Sequence, residues 1–192
     1  MKIQIGVMGS AGGVLTSGEL ALAQRVGANI ARRGATIVTG ACPGLPHAAV
    51  LGAHEFGGES LGVSPAHSRE EHVELYESPL EPYTTMVFTG SGLMGREIYN
   101  IHSSDFVIFV GGRSGTLGEF CIAYDEGKLI GVLRGSGGLS DHFGAIASLF
   151  VKQTGALIVE DTDPDRLLDR CGEIFESDQR SSAICFQGPS RG

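Results

Sequence analysis

An arginine and a glutamate on two successive predicted helices are the residues of this sequence best placed to do chemistry. Arg96 lies in the first turn of the helix after the fourth predicted strand, and Glu119 in the first turn of the helix after the fifth. In a parallel α/β sheet both turns face the edge where ligands bind. The guanidinium could orient an anionic ligand there. The carboxylate could act as a general acid/base or stabilise an oxocarbenium ion, so both residues are predicted to be catalytic.

Simpler roles are open for the same two side chains. Thr116 and Glu119 have capping-box spacing, in which the glutamate only satisfies a backbone N–H, and Arg96 could form a surface ion pair. On the helix of Arg96, an i, i+3, i+4, i+7 spacing predicts one polar face made of Arg96, Tyr99, Asn100 and Ser103. Ile98 and Ile101 are expected to point inward. Spacing alone does not decide between these roles.

Glycine-rich turns follow four of the predicted strands, and the turn after the fifth strand is the best candidate for a phosphate site. The apolar run 106–110 predicts a buried strand, which a flexible turn joins to a helix whose free N–H groups favour an anion. Four such turns at one edge indicate a nucleotide-sized, phosphate-bearing ligand. The predicted phosphate- and nucleotide-binding residues are Gly9, Ser10, Gly12, Gly40, Gly44, Gly111, Gly112, Arg113, Ser114, Gly115 and Thr116.

The elements that position these residues alternate between strand and helix along the whole chain. Strands are predicted over residues 3–8, 35–39, 59–64, 84–89, 106–110, 129–133 and 156–159. Such alternation predicts an α/β fold, a single-domain doubly wound (Rossmann-like) parallel sheet of about seven strands with helices on both faces. The last helix is predicted to end near residue 177. A nucleotide-binding domain over residues 1–178 and a polar tail over 179–192 are therefore expected.

Composition restricts the classes of partner. The net charge of −8, with no basic cluster, argues against a nucleic-acid surface and against an anionic membrane. No apolar run has membrane-spanning length, and Met1 leads directly into a strand, which leaves no room for a signal peptide. The four cysteines have no metal spacing and are expected to be reduced thiols: Cys42, Cys121, Cys171 and Cys185. These features predict a cytoplasmic protein.

Two other motifs allow different ligands. Gly90-x-Gly92-x-x-Gly95 matches the dinucleotide fingerprint between a strand and a helix, although it lies outside the first βαβ unit and no acidic residue follows the next strand. On the long polar segment 65–82, a surface loop and possible lid, four side chains could coordinate a metal: His67, Glu70, Glu71 and His72. A solvated loop is the favoured interpretation, because the spacing implies no fixed geometry.

The segment Gly112–Glu119, with Arg96 upstream, resembles the Pro-Gly-Gly-x-Gly-Thr-x-x-Glu signature of the LONELY GUY family. The resemblance extends from Ile3 to about Phe175. Members of that family, often named "possible lysine decarboxylase", are phosphoribohydrolases that cleave a nucleoside 5′-monophosphate into free base and ribose 5-phosphate. The resemblance implies an AMP-like ligand, site roles for the arginine and glutamate, no metal or organic cofactor, and a homodimer or larger homo-oligomer.

The chain departs from that signature at several positions. Gly111 and Arg113 stand where the signature has proline and its second glycine, and Glu97 replaces the lysine that usually follows the site arginine. Pro46 and His47 replace a Met-Gly pair in the second turn. In these respects the chain resembles the bacterial branch of the family and the related molybdenum-cofactor carrier proteins. A non-catalytic carrier or sensor of a nucleotide or molybdopterin-type cofactor is therefore the alternative hypothesis.

Overall fold

The computed structural model describes residues 2–186, and the side chains of residues 2–178. Within this range seven strands form one parallel sheet with helices on both faces, which confirms the predicted fold class. The strands are β1 (Gln4–Gly9), β2 (Thr36–Thr39), β3 (Glu59–Ser64), β4 (Thr85–Phe88), β5 (Phe106–Val110), β6 (Leu129–Leu133) and β7 (Leu157–Asp161). The helices are α1 (Ser17–Arg32), α2 (Leu45–Glu55), α3 (Arg69–Glu74), α4 (Gly92–Gly95), α5 (Glu97–His102), α6 (Ser114–Asp125), α7 (Phe143–Ser148) and α8 (Pro164–Phe186), with a 3-10 turn at Gly138–His142 before α7.

The order of the strands fixes where a crevice can form. The sheet runs β4-β3-β2-β1-β5-β6-β7, so the chain builds outward from β1 to β4 and then returns to place β5 on the other side of β1. Strands β1 and β5 pair in parallel from Ile5 opposite Phe106 to Gly9 opposite Val110. The loops that leave these two strands lead to opposite faces of the sheet. Their carboxyl ends are therefore the topological switch point, where ligands bind in folds of this kind.

Each face of the sheet has its own apolar core. Helices α1, α2 and α8 cover one face, and their packing includes the fully buried Ile30 and Leu168. On the other face three aromatic rings fill the space between β5, α6 and α7. Phe120 stacks on Phe143 with ring centroids 4.2 Å apart, and Phe109 meets both rings edge-on. Because Phe120 is held in this core, Glu119, which precedes it on α6, is turned toward the switch point.

Several boundaries differ from the sequence prediction. The helix predicted after β4 is interrupted at Arg96 and becomes α4 and α5. Segment 65–82 contains the short helix α3, so it is more structured than a surface loop or lid. Helix α8 continues to Phe186, past the expected start of the tail, and residues 187–192 lie outside the described part of the chain. No helix within the described residues combines the length and apolar character needed to cross a membrane.

Candidate functional site

A cleft of about 430 Å³ opens at the switch point, between the carboxyl ends of β1 and β5. One side is formed by the end of β1 and its loop, and the opposite side by the start of α6. Chain segments after β2 and β4 complete it. Of the predicted site residues, the cleft brings together Gly9, Ser10, Gly40, Arg96, Arg113, Ser114, Gly115, Thr116 and Glu119. The side of the cleft near α4 is apolar and consists of Pro46, Leu93 and Met94.

Arg96 lies at the junction of α4 and α5 and extends across the cleft floor. The residue is only 8% exposed, and its guanidinium packs directly on Gly40, where a Cβ atom would come within 1.3 Å of Nη1. Its Nε and Nη1 are buried and have no hydrogen-bond partner among the described residues. Buried donors of this kind are normally paired, so the guanidinium retains bonding capacity that an anionic ligand could use.

Glu119 meets Arg96 inside the cleft, as the sequence predicts. Its Oε1 lies 3.9 Å from Arg96 Nη1 and accepts a hydrogen bond from Asn100 Nδ2 at 3.0 Å. Burial raises the pKa of this carboxyl, while Arg96 and the bond from Asn100 oppose the rise. Helix α6 begins at Ser114 without a side-chain cap, and Glu119 is its sixth residue. The capping-box interpretation is therefore wrong.

The helix face predicted around Arg96 is only partly correct. Ile101 is fully buried as expected, but Ile98 is 45% exposed and Asn100 points inward to Glu119. Arg96 keeps helical dihedral angles, and its carbonyl accepts a hydrogen bond from Asn100 N–H at 3.1 Å, so Asn100 stays on the same face of the helix as Arg96. Tyr99, expected on the polar ligand face, is half exposed on the surface.

Glu97 is a cleft residue that the sequence prediction did not select. It is 5% exposed, and burial raises its pKa to about 7, with a further rise from Glu119 that Arg96 partly offsets. A Cβ atom on Gly118 would lie 2.6 Å from Glu97 Oε2, so the absent side chain makes room for this carboxylate beside α6. The only signal in the sequence was the replacement of a lysine by Glu97 in the resemblance to the LONELY GUY signature.

The amides of the turn after β5 are not free for a phosphate. Gly111 N–H donates to Ser136 Oγ at 2.8 Å, and Gly112 N–H donates to Ser10 Oγ at 3.0 Å. These two glycines lie beneath the cleft and anchor the turn, contrary to the prediction that they contact the ligand. The free donors are the backbone amides of residues 114–116, which no side chain caps and which open toward the cleft at the start of α6.

The remaining predicted glycines differ in their roles. Gly44 packs on the loop after β1, since a Cβ atom there would approach Ser10 O to 2.3 Å, and Gly12 lies near the guanidinium of Arg113. Neither lines the cleft. Gly9 does line it, and it also permits close contact between β1 and the last carbonyl of β5.

The two alternative motifs have different surroundings. The Gly90–Gly95 fingerprint follows the edge strand β4, outside the first βαβ unit where a dinucleotide fingerprint normally lies, and it contributes Leu93 and Met94 to the cleft. In the loop that offered metal ligands, His72 is fully buried and both ring nitrogens contact protein oxygens. No cluster of three or more His, Cys, Asp or Glu side chains able to hold a metal occurs in the part of the chain that the structure describes.

Comparisons with known proteins place this geometry in context. The model of the SLOG cluster4 family matches residues 2–168. An uncharacterized protein of Archaeoglobus fulgidus is 33% identical over 135 residues, which cover 70% of this chain and 82% of that protein. The match supports a SLOG-type, LOG-like Rossmann family, whereas the specific LONELY GUY assignment goes beyond it.

Two solved structures share the fold and part of the sequence. The molybdenum cofactor binding protein from the phototrophic bacterium Rippkaea orientalis is 28% identical, with a TM-score of 0.73 and coverage of 91% of this chain and 98% of that one. The molybdenum cofactor carrier protein MCP from Chlamydomonas reinhardtii is 25% identical, with a TM-score of 0.71 and coverage of 90% and 98%.

Proposed function

The chain belongs to the SLOG cluster4 family, and from that premise we propose that its cleft binds a nucleoside 5′-monophosphate and cleaves the N-glycosidic bond. The products would be the free base and ribose 5-phosphate. The observation that carries the proposal is the buried pair of Arg96 and Glu119, held 3.9 Å apart beside the free amides of α6. A cleft of about 430 Å³ also lies in the size range of nucleotide-sized ligands.

Each part of the cleft has a role in this proposal. The phosphate would bind the backbone amides of residues 114–116 at the positive end of α6, with Arg113 at the rim. The unpaired Nε and Nη1 of Arg96 would donate to ligand oxygen atoms and orient the ribose. The apolar side formed by Pro46, Leu93 and Met94 suits a planar base.

Glu119 would lower the barrier to bond cleavage. As the bond between C1′ and the base nitrogen breaks, the electron pair leaves with the base and positive charge develops on the ribose. An ionised carboxylate beside that charge stabilises the transition state by about 3 kcal/mol, the usual order for a positioned charged group in a desolvated site. Water then adds to C1′ and gives up a proton, and a proton is taken up by the departing base nitrogen, which completes hydrolysis to the neutral base and ribose 5-phosphate. Arg96 favours the ionised form of Glu119 that this step needs.

The test is an assay of base release. The protein would be incubated with a panel of nucleoside 5′-monophosphates, and free base and ribose 5-phosphate would be quantified by chromatography. We expect Glu119→Gln to lose turnover at least about hundredfold while it retains ligand binding. Glu55→Gln, an exposed carboxylate at the far end of α2, is the matched control and should keep full turnover. Unchanged turnover in Glu119→Gln would overturn the catalytic assignment.

A non-catalytic carrier or sensor is the second candidate function. It is favoured by the two structural neighbours that are named as molybdenum cofactor binding or carrier proteins. The same amides and Arg96 would then hold the phosphate of a nucleotide or a molybdopterin-type cargo. Tight binding without base release, unaffected by Glu119→Gln, would support this function over the hydrolase.

The expected partners follow from the same site. An acidic chain with a cleft of about 430 Å³ favours a small molecule over nucleic acid or a membrane surface. A homodimer or larger assembly stays a prediction. The exposed apolar side chains beside the cleft, Met94 and Ile98, are surface that such an assembly could bury.

A further inference from the structure

We propose that Glu97 makes anion binding in the cleft depend on pH, because the ligand binds when Glu97 carries a proton and receives a hydrogen bond from its carboxyl group. Binding of an anion is then coupled to the uptake of one proton. The inference rests on the proposed function, since it concerns the same cleft, but it applies equally to a hydrolase and to a carrier.

The position of Glu97 is the first support. It is the first residue of α5, it lines the cleft and it is 5% exposed. Cβ atoms added to Gly115 and Gly118 would lie 3.4 Å from its Oε1 and 2.6 Å from its Oε2. The carboxylate is therefore inserted alongside the first two turns of α6, next to the amides that are proposed to bind the phosphate.

The lack of a protein partner is the second support. A buried carboxylate is normally paired with a cation or held by hydrogen-bond donors. Among the described residues, Glu97 has neither a hydrogen bond nor an ion pair, and only longer-range charges act on it. Its oxygens are thus available to a ligand on the side that faces the cleft.

The balance of charges in the cleft is the third support. The titratable or charged groups that line it together with Glu97 are Arg96, Glu119, Arg113 and Cys42. Burial raises the pKa of the Cys42 thiol, which keeps it neutral. When Glu97 and Glu119 are both ionised, they outnumber the one buried guanidinium, that of Arg96, because Arg113 is exposed at the rim. The excess negative charge on the cleft floor then repels an anion. A proton on Glu97 removes the excess and adds a donor, consistent with its pKa of about 7.

Sulfate is a suitable probe, because its charge does not change through neutral pH. Sulfate affinity would be measured by calorimetry from about pH 6 to about pH 8.5, and AMP would be used as a competitor. For the unmodified protein we expect affinity to fall about tenfold for each pH unit above 7, since one proton must be added for each anion bound. Measurement in two buffers of different ionisation enthalpy should give uptake of about one proton per sulfate near pH 8.

Three variants make the result specific. Glu97→Gln should bind sulfate with a flat pH profile and no proton uptake, and should bind more tightly than the unmodified protein above about pH 8. Glu55→Gln, with the same change in net charge, should keep the slope. Arg96→Ala should lose binding, which places the sulfate in the cleft.

The outcomes separate the two claims. A flat profile in the unmodified protein, or a slope that persists in Glu97→Gln, overturns the role of Glu97 and leaves the anion cleft intact. Failure of both sulfate and AMP to bind at any pH, or binding that Arg96→Ala does not affect, overturns the proposed site and this inference with it.

Discussion

Two buried polar clusters near the carboxyl edge of the sheet differ in how completely their atoms are paired. In one, His72 Nε2 lies 3.2 Å from Pro79 O and Nδ1 lies 2.8 Å from Ser64 Oγ. Because a carbonyl oxygen can only accept, Nε2 donates and Nδ1 accepts from the serine hydroxyl. In the other cluster, Arg96 Nε and Nη1 and Asn100 Oδ1 have no partner among the described residues.

The difference separates a structural cluster from a binding site. A buried polar group without a partner lowers the free energy of unfolding by about 1–3 kcal/mol, because no hydrogen bond in the folded protein replaces the ones it lost to water. A cluster that is fully paired, such as the one around His72, anchors α3 and the segment after β3. One that is left incomplete destabilises the free protein, and a ligand that supplies the missing partners recovers that cost on binding. The cleft cluster is therefore expected to be sensitive to ligand and the His72 cluster to be indifferent to it.

The largest expected effect tests the paired cluster. His72→Ala removes a fully buried ring, so the Pro79 carbonyl loses its donor in that ring and the Ser64 O–H loses its acceptor, while Ser64 Oγ still accepts from Ala66 N–H. We expect the free energy of unfolding to fall by about 2–4 kcal/mol, measured by urea denaturation. Ligand affinity of the folded protein should stay within about twofold, because no part of this cluster lines the cleft. A large loss of ligand affinity in His72→Ala, with little loss of stability, would contradict the claim that this cluster is structural.

The next effect tests the incomplete cluster. Gly40→Ala places a methyl group where the Arg96 guanidinium lies, 1.3 Å from Nη1, and the side chain must move. A charge-assisted contact is worth about 1.5–3 kcal/mol, so we expect affinity for AMP or sulfate to fall roughly ten- to hundredfold. Stability should change little, because Gly40 has an ordinary negative φ.

Gly172→Ala is the matched control for that substitution. No atom of the described residues lies within 4 Å of a Cβ atom at this position on α8. It should leave affinity unchanged and add up to about 1 kcal/mol of stability from helix propensity. Equal affinities in Gly40→Ala and the unmodified protein would show that the packing of the Arg96 guanidinium on Gly40 does not matter for binding.

The contrast also explains what the sequence could predict. Strands β5 and β6 match the predicted limits because their apolar runs end at a glycine or a charged residue, which are local signals. The meeting of Arg96 and Glu119 was predictable in part, because both follow parallel strands and lie at the same edge of the sheet. Strands β3, β2 and β1 separate β4 from β5, so the two residues meet through the packing of α5 against α6, which the order of the elements along the chain does not predict.

What the sequence could not predict depends on distant residues. The amide of Gly112 is paired with Ser10, which is 102 positions away, and nothing local indicates that the turn amides are occupied. The burial of Glu97 depends on the space that Gly118 leaves on another helix. His72 was expected on a solvated loop, because its partner Ser64 ends a strand and carries no sign of the contact.

The smallest expected effect has the opposite sign to that of His72→Ala. The pKa of Glu97 rises from 4.5 to about 7 on folding, so the folded protein keeps a proton that the unfolded chain has already lost. Stability from this group is therefore present below about pH 4.5 and is lost as pH rises toward 7. Glu97→Gln has no such loss. We expect it to match the unmodified protein near pH 4.5 and to be more stable by about 1–3 kcal/mol above pH 7.

Denaturation at several pH values measures this difference, with Glu55→Gln as the control that should show none. A Glu97→Gln protein that is less stable at every pH would mean that the carboxylate is satisfied by contacts of its own, as His72 is. A gain confined to neutral and higher pH would mean that the ionised carboxylate is held in the cleft at the expense of stability. The His72 cluster would then stabilise the fold, and Glu97 would contribute to ligand binding, although the two residues are buried to a similar degree.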